Sequence, residues 1–181
     1  MSTATTSTAA GSTLSRERTD LLQTLAKHRQ FLRHTARNLS DEQASRCSTV
    51  SALCVGGLIK HVSGVEARWA DFIVRGPAAF APPPGSTPDP EGYAKTFRML
   101  PGETLAGLLA AYEQVAARTD ELVRTLPDLD ADQPLPEAPW FEPGARWSAR
   151  RTLMHILAET AQHAGHADII RESIDGQKTM G

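Results

Sequence analysis

Residues 148–176 read SARRTLMHILAETAQHAGHADIIRESIDG. Ser148 is a strong helix-capping residue and Gly176 a strong stop, and neither Gly nor Pro interrupts the run before Gly165. The pattern predicts one helix from Ser148 to about Asp175. Within it stand His155, Glu159, His163 and His166, spaced four, four and three residues apart. At roughly 100° per residue, these side chains fall within an arc of about 80°, close to one line along the helix. Such a stripe faces water, faces a buried polar site, or holds a metal ion.

Three further segments repeat apolar residues with helical periodicity. The first runs from about Leu14 to Leu39 through Leu21, Leu22, Leu25, Phe31 and Leu32. The second runs from about Ser51 to Arg75, with Leu58, Ile59, Val62, Val65, Trp69, Phe72 and Ile73 on its apolar face. The third spans about Thr104 to Leu126 through Leu105, Leu108, Leu109, Tyr112, Val115, Leu122 and Val123. Pro and Gly gather between them. GPAAFAPPPGSTPDPEG (76–92) and the five-proline stretch from Pro127 to Gly144 read as long surface crossovers. No run with the alternation and residue types of a strand stands out, and there is no internal repeat. The expected fold is all-α, a four-helix bundle with long crossover loops.

A chain of 181 residues suits one domain with a real core. Lys and Arg total 19 against 21 Asp and Glu, and no basic run appears, which argues against nucleic acid as a partner. Cys47 and Cys54 are too few for a disulfide scaffold, and free thiols in a reducing cytoplasm are the expectation. The opening MSTATTSTAAGST has no basic region or apolar stretch of a secretory signal and reads as a disordered tail, 1–13, before a domain at 14–181. Nothing approaches the roughly 18 consecutive apolar residues of a membrane span.

The second helix carries LIKHVSGVEARW (58–69). His61 lies on or beside the face of Leu58, Val62, Val65 and Trp69 and should point inward. One inward His with an i, i+4 pair from the last helix, either His155/Glu159 or Glu159/His163, makes a three-ligand set. Two imidazoles, a carboxylate and an open position are the ligands of a catalytic zinc ion, and iron(II) or nickel(II) suits them too. Plainer readings compete. A lone helical His on an apolar face is more often a satisfied core residue, and the stripe on the last helix could be a solvated face. Against the latter, Arg150, Arg151, Gln162, Asp168, Arg171 and Glu172 already cover the outside of that helix.

GLIKHVSGVEARW (57–69) followed by ARWSARRTLMHILAETAQHAGHADIIRESIDG (145–176) resembles the actinobacterial branch of the DinB-like superfamily. That superfamily includes the mycothiol-dependent maleylpyruvate isomerases and the mycothiol and bacillithiol S-transferases. The resemblance spans nearly the whole chain after the tail, and HAGHADIIRE is specific to one branch. It implies a four-helix bundle of DinB-like type with a divalent metal among the helices, and a homodimer. Many members use three His, the last helix giving H-x-x-x-H. Here Glu159 stands at the first position of that pair, which is similar to the His/Glu/His set of the isomerase branch. The resemblance thus implies His61, Glu159 and His163 as metal ligands, with His155 and His166 supporting them or facing substrate. The isomerases carry an extra C-terminal domain, so with Gly181 as the last residue the transferase-like members are the expected relatives.

The chemistry implied is activation of a low-molecular-weight thiol such as mycothiol at a metal, zinc being the expected ion, for attack on an electrophilic small molecule. Glu66 and His166 are the candidate catalytic residues, against a surface charge and a structural His. Trp69, Tyr112 and Arg146 are candidates for contacting the thiol or substrate, although Trp and Tyr at helical spacing are usually core. Arg68, Arg150 and Arg171 share with Arg146 the capacity to clamp a carboxylate. Cys54 reads as packing rather than as a fourth ligand. Two other functions fit the same residues: a non-catalytic metal-binding stress protein or dimerisation module, and a hydrolase using metal-bound water.

Overall fold

A computed structural model describes residues 14–82, 85–87 and 89–179. The tail expected at residues 1–13 lies outside them. The described elements are, in order, α1 (Arg16–Thr35), α2 (Asp41–Ser45), α3 (Val55–Arg75), a 3-10 turn (Gly76–Phe80), α4 (Gly92–Lys95), α5 (Leu105–Thr125), strands β1 (Asp132–Pro134) and β2 (Arg146–Ser148), and α6 (Ala149–Asp175). The chain is mostly helical, and no described helix is long and apolar enough to cross a membrane.

Helix ends follow local chemistry. The hydroxyls of Ser15, Thr104 and Ser148 accept backbone N–H groups in the first turns of α1, α5 and α6. Gly176, at φ 76°, closes α6 in the left-handed region open to glycine. The second predicted helix begins four residues later than Ser51. Ser51 Oγ instead accepts the Leu53 N–H in a tight turn, and the Cys54 sulfur caps α3 by accepting from Gly57 N–H at 3.3 Å. The first predicted helix stops at Thr35 rather than Leu39. Asn38 turns with φ 59°, and Ser40 then starts the short α2 with a capping box to Gln43.

The long helices pack α1 on α6, α3 on both α5 and α6, and α1 on α5. Two apolar clusters result. One joins Leu32, Leu58, Ile59, Val62, Tyr112, Ala167 and Ile170, and the other joins Leu25, Trp69, Phe72, Val123, Leu153 and Ile156. Burying one such large side chain contributes about 1.5–3 kcal/mol. Between the clusters runs a polar layer to which α1, α3 and α5 each give a residue. Arg29 of α1 donates Nε and Nη2 to both oxygens of Glu66 on α3, at 3.2 and 2.6 Å, and Nη1 to Asp120 on α5 at 2.7 Å. Thr119 of α5 and Thr160 of α6 are also buried, each returning its hydroxyl to its own helix at i−4.

The crossovers hold more order than the sequence predicts. The second closes as an antiparallel hairpin, with Asp132 opposite Ser148 and Pro134 opposite Arg146. Strands of three residues are too short to show alternation. The hairpin feeds straight into α6, whose first N–H groups reach back to the carbonyls of Ala131 and Leu129. At the far end of α6, Arg171 donates to the carbonyls of Thr35 and Arg37, satisfying the open end of α1.

Candidate metal centre

α3 and α6 lie side by side, and their inward faces bring His61, Glu159 and His163 together. One ligand atom from each lies within 4.8 Å of the other two. Glu159 and His163, one turn apart on α6, approach to 3.6 Å at Nε2, and the His61 and His163 rings meet edge-on with centroids 5.0 Å apart. Tetrahedral zinc, with bonds of about 2.0–2.2 Å, sets its ligands ~3.4 Å apart, so the three side chains would have to close by about an ångström or more to hold one.

The tautomer of His61 follows from its partner. Thr96 donates its hydroxyl hydrogen to the Tyr93 carbonyl at 2.7 Å. Its oxygen, 3.1 Å from His61 Nδ1, is left to accept, so His61 carries its proton on Nδ1 and presents a bare Nε2. His163 Nδ1 lies 3.3 Å from His166 Nδ1, which turns His163 Nε2 toward Glu159. The two imidazole rings and the carboxylate therefore stand together, His163 Nε2 on the Glu159 side.

Electrostatics favour the metal-ready forms. Burial, then the neighbouring His163, pushes His61 down to about 4, so it is neutral at physiological pH. Glu159 is held below the usual carboxylate range, first by the His163 hydrogen bond and against its own burial. His155 is also pushed down by burial.

Gly56 and Gly57 explain how the crossover reaches the site. A Cβ on Gly57 would collide with the Phe97 carbonyl, and one on Gly56 with the Met99 sulfur. Bare backbone lets residues 96–99 lie against the first turn of α3. The Cys54 thiol then donates to Phe97 O, Lys60 pairs with Glu103 at 2.7 Å, and the Phe97 ring stacks on His61 at 3.8 Å. Neither Thr96 nor Phe97 was singled out by the sequence, because a proline-rich crossover carries no periodicity to say which way a side chain points.

The other candidates fall at graded distances from this centre. His166 supports His163. His155, the alternative pairing partner of Glu159, is 3.9 Å from it at Nε2 and stands outside the three-residue cluster, edge-on to Trp69 and Trp147. Trp69 is 8% exposed, stacks on Trp147, and lines a cavity with His61. Glu66, the candidate base, is fully buried with both oxygens held by Arg29, so its carboxylate has no open face toward a ligand. Tyr112 is buried with its hydroxyl near Thr160, and burial followed by the Glu66 charge pushes its phenol up. Arg146 is half-exposed and paired with Asp132 at 2.7 Å in the hairpin. Cys54 is committed to the α3 cap, and Cys47 is exposed, both as free thiols.

The family model described as MST: Mycothiol-S-transferase matches residues 20–176. Among solved structures, a conserved protein from Enterococcus faecalis is similar, with a TM-score of 0.65 and 11% identity over 91% of this chain and 100% of that one. At that identity the likeness concerns the fold alone. No curated protein matches the chain.

Proposed function

The chain belongs to the mycothiol-S-transferase family, and from that premise we propose that it is a metal-dependent thiol transferase with His61, Glu159 and His163 as ligands. The proposal includes a DinB-like four-helix bundle made by α1, α3, α5 and α6, zinc as the ion, mycothiol or a similar thiol as cosubstrate, and a homodimer. The observation that supports it is the convergence of two imidazole rings and one carboxylate within 4.8 Å, with Thr96 and His166 beside the two rings.

His61, Glu159 and His163 would hold a divalent ion, which would supply the Lewis acidity that favours the ionised form of a thiol. The residues do the rest. Thr96 holds the His61 ring in the tautomer that offers Nε2, and His166 Nδ1, 3.3 Å from His163 Nδ1, steadies the second ring. Glu159 stays ionised because His163 favours its charge. His155, kept neutral by burial and 3.9 Å from Glu159, is placed to take up the proton a thiol releases. Phe97 covers one face of the His61 ring, and Trp69 packs edge-on to His155.

Elemental analysis and thiol-consumption assays test the reading together. Near-stoichiometric metal is expected, lost in His61→Ala, Glu159→Ala and His163→Ala and kept in His28→Ala and His34→Ala. Mycothiol should be consumed with an electrophile only by the metal-loaded protein. Full metal content in Glu159→Ala would mean that His155 or His166 takes its place, and metal without thiol consumption would sink the transferase reading.

A further inference from the structure

Beside His61 opens a cavity of about 280 Å³. Its floor is one face of α3, on which His61, Gly64 and Arg68 follow at spacings of three and four, with Trp69 next to them. Glycine inside a helix costs stability relative to alanine, so a helical glycine asks for a reason. Gly56 and Gly57 have one in the Met99 side chain and the Phe97 backbone packed against them. Gly64 does not: a Cβ there would meet nothing within 4 Å. What the missing side chain leaves is depth in the cavity.

The walls are aromatic. Trp69 and Phe80 meet edge-on at 4.9 Å, and Tyr93, 74% exposed, stands edge-on to His61 at the mouth. Of the two cations at the rim, Lys60 is held by Glu103. Arg68 is exposed and, among the described residues, has neither an ion pair nor a hydrogen bond. Its charge is felt at His61, where it disfavours protonation. Aromatic walls, a bare floor and one uncommitted guanidinium select a flat apolar body bearing a carboxylate.

We propose that this cavity binds a planar aromatic carboxylate, with the ring over Gly64 against Trp69 and the carboxylate on Arg68. On the transferase reading, on which this role rests, it is the subsite of the electrophile.

The test is equilibrium binding of an inert pair, 2-naphthoate and 2-naphthamide, to the protein as purified, by calorimetry. The acid should bind at least tenfold more tightly than the amide. Arg68→Gln should erase that preference by weakening the acid alone. Gly64→Leu should weaken both ligands at least tenfold with an unchanged or raised melting temperature, and Gly64→Ala serves as the milder variant. A preference that survives Arg68→Gln, which would put the carboxylate on the three-ligand cluster, overturns the proposal. So does full binding by Gly64→Leu, or no binding by the parent. Binding needs no thiol. Acid preference without thiol transfer therefore removes the transferase reading and leaves the cavity assignment, and thiol transfer without acid binding does the reverse.

Discussion

Replacing Thr96 by Val keeps the shape of the side chain and removes the oxygen that accepts the His61 Nδ1 proton. The ring is then free to rotate or change tautomer, and partners of this kind are worth about 10–100-fold in metal affinity. Thr96→Val should therefore lower affinity by about tenfold with an unchanged circular dichroism spectrum. Unchanged affinity would mean that Phe97 stacking alone fixes the ring. Glu66 calls for the opposite kind of measurement. Its removal leaves Arg29, 2% exposed, charged and half-paired in the interior. Glu66→Ala should destabilise the fold by about 3–5 kcal/mol, read by denaturant unfolding. A variant of parent stability with lost turnover would instead restore the catalytic role expected for this residue.

Helix α3 is where sequence and structure part most instructively. Its periodicity correctly put His61 on the inward side, whereas Glu66, weighed against a surface charge, is fully buried, and its partner is Arg29, 37 residues earlier, which no local pattern can specify. Its start was missed because cysteine is an unusual cap and Ser51 a common one. The ends of α5 and α6, marked by Thr104, Ser148 and Gly176, were legible because their caps follow ordinary hydrogen-bond chemistry. The spacing of Glu159 and His163 placed them together, and the choice over His155 came from family resemblance, not from spacing. The first turn of α3 also yields a prediction. Gly57→Ala must push the Phe97 carbonyl away and loosen the segment carrying Thr96. Metal affinity should fall by about tenfold or more, with most helix content retained. An unaffected site would show that residues 96–99 are not what orients His61.

The acid response of the whole molecule follows from the centre. His61 titrates near 4 when folded and near the ordinary 6.5 when unfolded. Between these values the unfolded chain binds more protons, so stability is fully present above about 6.5 and is lost as pH falls toward 4. His155 is shifted in the same direction. Glu159, lowered when folded, adds a loss that begins below its ordinary 4.5. On protein stripped of metal, the melting temperature should drop between pH 6.5 and 4, and His61→Asn should flatten that slope. An equal slope in the variant would assign the acid sensitivity elsewhere. One feature of the architecture also bears on how the protein is made. α6 receives the hairpin at its start, carries two of the three proposed ligands in its middle, and closes the end of α1 with Arg171 near its finish. It emerges from the ribosome about 110 residues after α1 is complete, a wait of roughly 6–20 s at ordinary synthesis rates. Through that interval Leu25 and Leu32 of α1 have no α6 to cover them. The newborn chain must stay unaggregated on its own, or under a chaperone, until its last helix arrives.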